Sequence, residues 1–192
     1  MRHITLITTG GTIEKTYDEM TGELTNRVSI VGRMLEHLRL EGTTVTIVEL
    51  MRKDSLHMTD EDRAAIVEAV RGAGILPVVF SENQPNLQSQ PDTGGTPVPR
   101  TSGIVILHGT DTLTETGDRI LKDVPGLKVP VVLTGAMRPF EMARSDALQN
   151  LTEAIFAAGV VPPGVYSAAH GRVLKFPGVR KDREKGTFVG GN

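Results

Sequence analysis

The sequence predicts an α/β domain in three layers, with helices on both faces of a mostly parallel sheet. Short, continuously apolar segments alternate along the chain with segments of helical pattern, which is typical of parallel strands joined by helices. The chain has 192 residues, 39% of them hydrophobic and 23% charged, enough for one domain around a substantial core. The sequence contains no internal repeat and no convincing linker, so we predict a single domain over residues 1–192.

Each predicted strand is a short apolar run between polar or glycine-containing segments. A run without polar alternation indicates a strand that is covered on both faces. The predicted strands are Ile4–Thr8, Thr44–Leu50, Ile75–Phe80, Gly103–Leu107, Val129–Thr134 and Gly164–Ala168.

Four helices are predicted between these strands, and two of them begin with helix-capping residues. Thr59 precedes the acidic segment 60–62, and Ser145 precedes Asp146. Hydroxyl and carboxylate oxygens at a helix start accept hydrogen bonds from its free N–H groups, and acidic residues suit its N-terminal dipole. The predicted helices are Val28–Leu40, Thr59–Arg71, Thr112–Lys122 and Ser145–Ala158.

Two polar segments interrupt this alternation. Residues 14–26 lie between the first strand and the first helix and contain Tyr17. Residues 81–102 are rich in proline, glycine, serine, glutamine and asparagine, with few side chains able to enter a core. We predict that the second segment is a surface loop or flexible insertion without a chemical role.

The composition excludes several classes of protein. A net charge of -2 gives no reason to expect nucleic acid or an anionic membrane as a partner. Cysteine is absent and no two histidines are spaced i, i+4, so we expect no thiol nucleophile, no metal site and no cofactor. The apolar run at Ile4–Ile7 is too short for a secretory signal, and no run approaches the roughly 20 residues of a membrane span. We therefore predict a cytoplasmic protein.

Polar sequences follow four of the predicted strands, at the ends where ligands of open α/β sheets bind. They are TTGGTIEKTY, MRKDSLHMTD, HGTDTLTETG and TGAMRPFEMARSD, which all project to one rim of the predicted sheet. Taken alone, Gly10–Thr12 indicates only a turn, since it lacks the lysine of a P-loop and the G-x-G-x-x-G spacing. Asp111 or Thr112 either caps the following helix or holds a polar ligand, and the sequence leaves both open. We interpret His108 as a buried structural histidine.

Together these motifs resemble the asparaginase/glutaminase family, the threonine-dependent amidohydrolases of bacterial type. The similar stretches are TTGGTI, DSLHMTD, LHGTDTLTET and VVLTGAMRP followed by SDALQNL, in the order in which the family has them. The resemblance implies the fold of the family's N-terminal domain. It also implies hydrolysis of L-asparagine to L-aspartate and ammonia through an acyl-enzyme.

The resemblance assigns a role to individual residues. It implies that Thr12 attacks the side-chain amide carbon, assisted by Tyr17 on a mobile loop that acts as a lid. Ser55 matches the serine that holds the substrate α-carboxylate. Thr110 matches the second threonine, which handles the water or the proton, and Asp111 matches the carboxylate that binds the α-ammonium.

A lysine late in the chain completes the implied set. Lys181 matches the lysine that hydrogen-bonds the second threonine, with Lys175 and Lys185 as nearby alternatives. A threonine hydroxyl is a poor nucleophile at neutral pH, so a phenol beside a lysine, or an uncharged lysine, has to take its proton. Backbone N–H groups beside Gly11 and in 109–110 would form an oxyanion hole. The implied catalytic residues are Thr12, Tyr17, Thr110, Asp111 and Lys181, and the implied substrate-binding residues are Gly11, Ser55, Gly109, Thr110 and Asp111.

Several features depart from the family's pattern. Leu56 stands where many members have glutamine and His57 where they have aspartate, so α-carboxylate binding differs in detail. Lys53 or Asp54 either compensates for the glutamine or is a solvated loop charge. The chain resembles the short, single-domain members without the usual C-terminal domain, and we expect a homo-oligomer in which an interface completes the site.

Two further functions remain open beside L-asparaginase activity. A glutaminase, or the ammonia-generating subunit of an amidotransferase, differs in its substrate by only one methylene. An inactive amino-acid-binding module is the other alternative, although such a descendant has no chemical need for both threonines and the lysine.

Overall fold

A computed structural model describes residues 1–75 and 101–190 of the chain. In these residues, the α-helices are α1 (Val31–Glu36), α2 (Asp60–Ile75), α3 (Leu113–Asp123) and α4 (Ala147–Ala158). The strands are β1 (Arg2–Gly10), β2 (Thr16–Asp18), β3 (Glu23–Thr25), β4 (Thr43–Lys53), β5 (Gly103–Leu107), β6 (Pro130–Thr134), β7 (Gly164–Ala169), β8 (Arg172–Lys175), β9 (Arg180–Asp182) and β10 (Thr187–Val189). Two 3₁₀ turns, Thr12–Glu14 and Ser55–His57, lie just after the ends of β1 and β4.

A six-stranded sheet in the order β4-β1-β5-β6-β7-β8 forms the centre of the fold. The first five strands are parallel to their neighbours, and β8 pairs antiparallel with β7 at one edge. The pairs β2–β3 and β9–β10 form two separate antiparallel hairpins. The predicted mostly parallel sheet is therefore confirmed.

Helices cover both faces of this sheet, because successive residues of the buried strands point to opposite faces. In β5, Ile104 and Ile106 pack in a cluster with α2 and α3, whereas Val105 and Leu107 pack with α1 and α4. Every residue of β5 and β6 is buried. The three-layer arrangement expected from the continuous apolar runs is confirmed.

The first helix is much shorter than predicted. The sequence predicts a helix over Val28–Leu40, whereas α1 covers only Val31–Glu36. Val28 is exposed, and the Ser29 hydroxyl donates to the Glu14 carboxylate at 2.7 Å, which holds this segment against the turn after β1. A tertiary hydrogen bond thus overrides the helical pattern before Val31.

The capping residues predicted at the starts of α2 and α4 can be compared with the hydrogen bonds observed there. At α2, the Thr59 N–H donates to the Asp62 carboxylate at 2.9 Å and the Asp62 N–H donates to the Thr59 hydroxyl at 3.4 Å, as the acidic start predicts. At α4, Asp146 occupies the N-cap position but its carboxylate makes no cap hydrogen bond. It accepts instead from the N–H groups of Met137 and Arg138, whereas the Ser145 hydroxyl accepts from the Ala147 N–H at 3.1 Å, so of the predicted capping pair only Ser145 bonds a free N–H at the helix start.

Two predictions fall wholly or mainly outside the described residues. The predicted strand Ile75–Phe80 lies there except for Ile75, which ends α2. Of the predicted insertion 81–102, only Thr101 and Ser102 are described. Both bond to His3 of β1, with the Ser102 N–H donating to the His3 carbonyl at 2.6 Å, so the end of that segment belongs to the folded domain.

No α-helix within residues 1–75 and 101–190 is both long enough and apolar enough to cross a membrane.

Candidate active site

The ends of three strands meet through the backbone of two glycines. Gly10 and Gly11 have φ values of 90° and 81°, a region that glycine adopts without strain. A Cβ atom on Gly11 would overlap the backbone of Gly109, which follows β5. The Gly11 N–H donates to the carbonyl of Lys53 at the end of β4, at 2.9 Å. The turn that presents Thr12 is therefore seated directly on the neighbouring strand ends.

Ser55 lies in the same contact region. A Cβ atom on Gly109 would overlap the Ser55 side chain, and the Thr112 hydroxyl donates to the Ser55 carbonyl at 2.9 Å. Ser55 is buried, and within the described part of the chain its Oγ has no hydrogen-bond partner. An unsatisfied buried hydroxyl costs about 1–3 kcal/mol, so this group is poised for a ligand or a water molecule.

The segment after β6 also reaches this region. A Cβ atom on Gly135 would overlap the carbonyl of His108 and would lie 3.1 Å from Cγ2 of Thr110. The four polar segments that the sequence places at strand ends thus meet at one rim of the sheet.

Lys181 contacts both Thr110 and Asp111. Its Nζ donates to the Thr110 hydroxyl oxygen at 2.8 Å and to Asp111 Oδ1 at 3.0 Å. Of its alternatives, Lys185 pairs with Asp182 at 3.4 Å, and Lys175 lies on the edge strand β8. Lys181 is therefore the lysine that the fold brings to the second threonine.

The Asp111 carboxylate lies between two cations. Arg183 Nη1 donates to Oδ1 at 2.8 Å, in addition to the bond from Lys181. Partial burial alone would raise the pKa of Asp111, but the hydrogen bonds from Lys181 and Arg183 outweigh this effect and hold the pKa below its usual value. Sequence reasoning missed Arg183, which lies in the turn between β9 and β10, directly after the strand that carries Lys181.

The start of α3 shows whether Thr112 and Asp111 cap the helix. Thr112 occupies the N-cap position, but its side chain makes no cap hydrogen bond and instead contacts Ser55. The Asp111 carboxylate faces Lys181 and Arg183. Neither side chain caps the helix, so the interpretation that either is merely a helix cap was wrong.

Tyr17 stands apart from the residues gathered at the rim. It lies on β2, its side chain is 59% exposed, and its hydroxyl faces Gly22 of the same hairpin. Thr12 is partly buried in the 3₁₀ turn that follows Gly11. Among the described residues no hydrogen bond joins Tyr17 to Thr12, so their predicted cooperation stays a prediction.

The asparaginase N-terminal family model matches residues 3–74 and 97–187. The chain belongs to the asparaginase family. It is 30% identical to an L-asparaginase of Thermococcus kodakarensis over 86% of this chain and 43% of that protein. It is also 25% identical to a glutamyl-tRNA(Gln) amidotransferase subunit of Methanococcus vannielii, over 90% of this chain and 35% of that protein.

A crystal structure of L-asparaginase I from Vibrio cholerae is similar to the whole fold. The TM-score is 0.78 at 25% identity, over 100% of this chain and 52% of that one. The chain thus spans about half the length, or less, of the asparaginase relatives it matches. The family match leaves out residues 75–96, which overlap the segment that the sequence predicts as an insertion.

His108 lies in the interior of this asparaginase-family chain, between β5 and the segment that carries Thr110. It is fully buried, and burial lowers its pKa to about 4, so the ring is uncharged at neutral pH. Nδ1 donates to the Gly109 carbonyl at 2.8 Å, and the Thr116 hydroxyl donates to Nε2 at 2.9 Å. These bonds hold the segment that carries Thr110 and agree with the structural interpretation of His108.

Glu14 is a second residue that sequence reasoning missed. It lies two residues after Thr12, is buried, and accepts hydrogen bonds from the hydroxyls of Thr8 and Ser29. Burial raises its pKa to about 7. A charged residue in a polar segment gave no sign of this burial, because the enclosing groups come from β1 and from the start of α1.

Lys53 and Asp54, which the sequence offered as substitutes for the family glutamine, both form ion pairs with other residues. Lys53 forms an ion pair with Asp62 at 2.7 Å, and Asp54 forms one with Lys15 at 2.7 Å. Leu56 itself is 65% exposed and has no polar side-chain atom. Within residues 1–75 and 101–190, no cluster of three or more histidine, aspartate or glutamate residues is arranged to hold a metal ion.

Proposed function

We propose that this chain hydrolyses the side-chain amide of L-asparagine to L-aspartate and ammonia, with Thr12 as the nucleophile. The observation that carries the proposal is the contact of Lys181 with both Thr110 and Asp111. This contact lies at the rim where the turn bearing Thr12 rests on Gly109. A hydroxyl, a carboxylate and an ammonium thus lie at the same rim of the sheet as the glycine turn that bears Thr12.

The proposed reaction has two steps. The Thr12 oxygen attacks the amide carbon, its proton passes to the leaving nitrogen, and ammonia departs to leave an ester of Thr12. Water then attacks the ester with Thr110 as proton carrier, which releases aspartate and restores the hydroxyl. Because a lysine ammonium is only a donor, Lys181 binds a lone pair of Thr110 and leaves the hydroxyl proton free for another acceptor.

The oxyanion formed in each step needs N–H donors beside the reacting carbon. The Gly11 N–H is already bonded to Lys53, so we assign this role to the N–H groups of Thr12 and Thr110. The glycines at 11 and 109 let the backbone approach the substrate closely. Loss of one such donor typically lowers the rate by about 10²–10³-fold.

Substrate recognition follows from Ser55 and Asp111. We assign the α-carboxylate to the unpartnered Ser55 hydroxyl and the α-ammonium to the Asp111 carboxylate. A substrate that meets both groups is a free amino acid rather than a residue within a protein. We further propose that the β2–β3 hairpin is the lid and that Tyr17 reaches Thr12 when the hairpin closes over the substrate.

Ammonia release from L-asparagine tests the proposal. Thr12→Ala should lower kcat by about 10³-fold or more, and Thr110→Val by about 10²-fold, since each removes a reacting hydroxyl. Thr152→Ala, an exposed threonine on α4, is the matched control and should retain full activity. Undiminished activity in Thr12→Ala would refute the nucleophile.

A second candidate function is a glutaminase or the ammonia-generating subunit of an amidotransferase. The observation that favours it is the similarity to the glutamyl-tRNA(Gln) amidotransferase subunit of Methanococcus vannielii. Pockets discriminate a single methylene by only about 10–200-fold, so kcat/KM for both amides has to be compared. Higher kcat/KM for L-glutamine would replace the asparaginase proposal. Binding of L-aspartate without turnover of either amide would support an inactive binding module.

We also propose a cytoplasmic homo-oligomer that needs no cofactor, with residues 1–192 as one domain. The exposed Tyr17 and Arg183 leave the site open on one side, where a second copy can complete it. Light scattering on the purified protein would measure the oligomer, and cell fractionation its location. A monomer with full activity would refute completion of the site at an interface.

A further inference from the structure

The ion pair between Asp111 and Arg183 leaves hydrogen-bonding capacity on both partners. Lys181 and Arg183 bind the same oxygen of the carboxylate, Oδ1. In the part of the chain that the structure describes, Oδ2 accepts no hydrogen bond, and Arg183 donates only through Nη1 to this carboxylate. A guanidinium carries five N–H donors, so most of its donors remain free. An acceptor and a donor group of opposite charge thus stand side by side.

The α-carbon of an amino acid presents the matching pair of charges. Its ammonium needs acceptors and its carboxylate needs donors, and the two groups are attached to one carbon atom. Because Arg183 is bonded to the other oxygen of Asp111, an ammonium on Oδ2 can have the carboxylate of the same molecule directed toward Arg183. The charges then alternate from Asp111 through the amino acid to Arg183.

The site otherwise offers few donors to a substrate carboxylate. The Ser55 hydroxyl supplies one proton, whereas a carboxylate has about four lone-pair sites. Leu56 supplies none, and the nearby Lys53 is held by Asp62. A guanidinium is well suited to the remaining sites, because its planar fork matches a carboxylate in two parallel hydrogen bonds.

Exposure makes it easy for Arg183 to change partners. Its side chain is 69% exposed, and exposed ion pairs contribute little to stability. Arg183 can therefore turn part of its guanidinium group toward a substrate with little loss of protein stability. Asp111 keeps its bond from Lys181, so the carboxylate stays in place meanwhile.

We propose that Arg183 is a specificity-determining residue that binds the α-carboxylate of the amino acid substrate while Asp111 binds its α-ammonium. This inference rests on the proposed amidohydrolase function and adds a binding group to it. It also explains how the site recognises a carboxylate with leucine at position 56.

A comparison of two substrates tests this role. L-Asparagine carries the α-carboxylate, and β-alaninamide has the same amide and ammonium without it. Arg183→Gln should lower kcat/KM for L-asparagine by about 10–100-fold, mainly through KM, as expected for a lost hydrogen bond to a charged group. The preference for L-asparagine over β-alaninamide should fall by the same factor, and Arg183→Lys should restore part of it. Arg180→Gln, an exposed arginine on β9, is the matched control and should leave the preference unchanged.

Different results would overturn the role of Arg183 and the proposed amidohydrolase function. Where the wild type binds β-alaninamide without turning it over, its inhibition constant against L-asparagine replaces kcat/KM. An active wild type whose Arg183→Gln variant keeps its preference would overturn the role of Arg183 alone. An equal loss on both compounds would show that Arg183 acts structurally and would also overturn it. A wild type that releases no ammonia from either L-asparagine or L-glutamine would overturn the proposed function, and the inference with it.

Discussion

Replacing Glu14 with glutamine should make the domain more stable, and more so at high pH than at low pH. The side chain is buried between the hydroxyls of Thr8 and Ser29, and burial raises its pKa from 4.5 to about 7. Hydrogen bonds from the Ser29 hydroxyl and from the backbone N–H groups of Ile30 and Gly10 lower the pKa, and the charge of Glu49 raises it, but each effect is smaller than that of burial. Glutamine has nearly the same shape and carries no charge.

The magnitude follows from the two pKa values. Below pH 4.5 the carboxyl is protonated in both the folded and the unfolded chain, so it exerts no pH-dependent effect there. Between pH 4.5 and about 7 the unfolded chain releases this proton and the folded chain keeps it, so stability falls by about 1.4 kcal/mol for each pH unit. Above pH 7 the full loss, about 3 kcal/mol, is reached.

Urea unfolding of the wild type and Glu14→Gln at pH 5 and pH 8 measures this effect. The gain in free energy of unfolding from the substitution should be about 2–3 kcal/mol larger at pH 8 than at pH 5. Glu41→Gln, at an exposed glutamate before β4, controls for the general loss of a negative charge. An equal effect of Glu14→Gln at both pH values would refute the reasoning.

Two further predictions concern the backbone and the histidine of the rim. Gly11→Ala should destabilise the domain by at least about 2 kcal/mol, because its Cβ atom would strain a positive φ and also overlap the Gly109 backbone. Gly42→Ala has a similar φ of 65° but open space around the Cβ, so a Tm loss as large as that of Gly11→Ala would show that the overlap is unimportant. The His108 ring signals in NMR spectra should not shift between pH 8 and pH 5, since burial lowers its pKa to about 4, and a midpoint above pH 6 would contradict this.

In the described residues, the sequence predicted the five parallel strands of the central sheet and three of the helices closely, but it missed the short strands β2, β3, β8, β9 and β10 and the start of α1. A run such as 103–107 is apolar at every position because both faces of the strand are covered, and this pattern needs no knowledge of distant contacts. The start of α1 comes just after the hydrogen bond between Ser29 and Glu14, which are 15 residues apart. Periodicity in Val28–Leu40 could not reveal that contact.

Residues of the predicted site were also easier to find where local sequence determines their position than where distant contacts do. Thr12, Thr110 and Asp111 stand in short motifs at strand ends, where the topology of a parallel sheet brings them to one rim. Arg183 and Glu14 were missed because their positions depend on other elements. Arg183 reaches Asp111 only through the hairpin formed by β9 and β10, and Glu14 is enclosed only when α1 packs beside β1.

The hairpin that carries Lys181 is synthesised after every strand of the parallel sheet. Lys181 contacts Thr110 across 71 positions of the chain, and Phe188 anchors the hairpin in the core. At about 5–20 residues per second, roughly 4 to 14 s separate the synthesis of Thr110 from that of its lysine. The parallel strands β1, β4 and β5 precede Thr110, and β6 and β7 are synthesised in that interval, while Asp111 still lacks both cations. All five parallel strands are thus synthesised before the two cations that pair with Asp111, and the docking of this last hairpin completes the charged cluster.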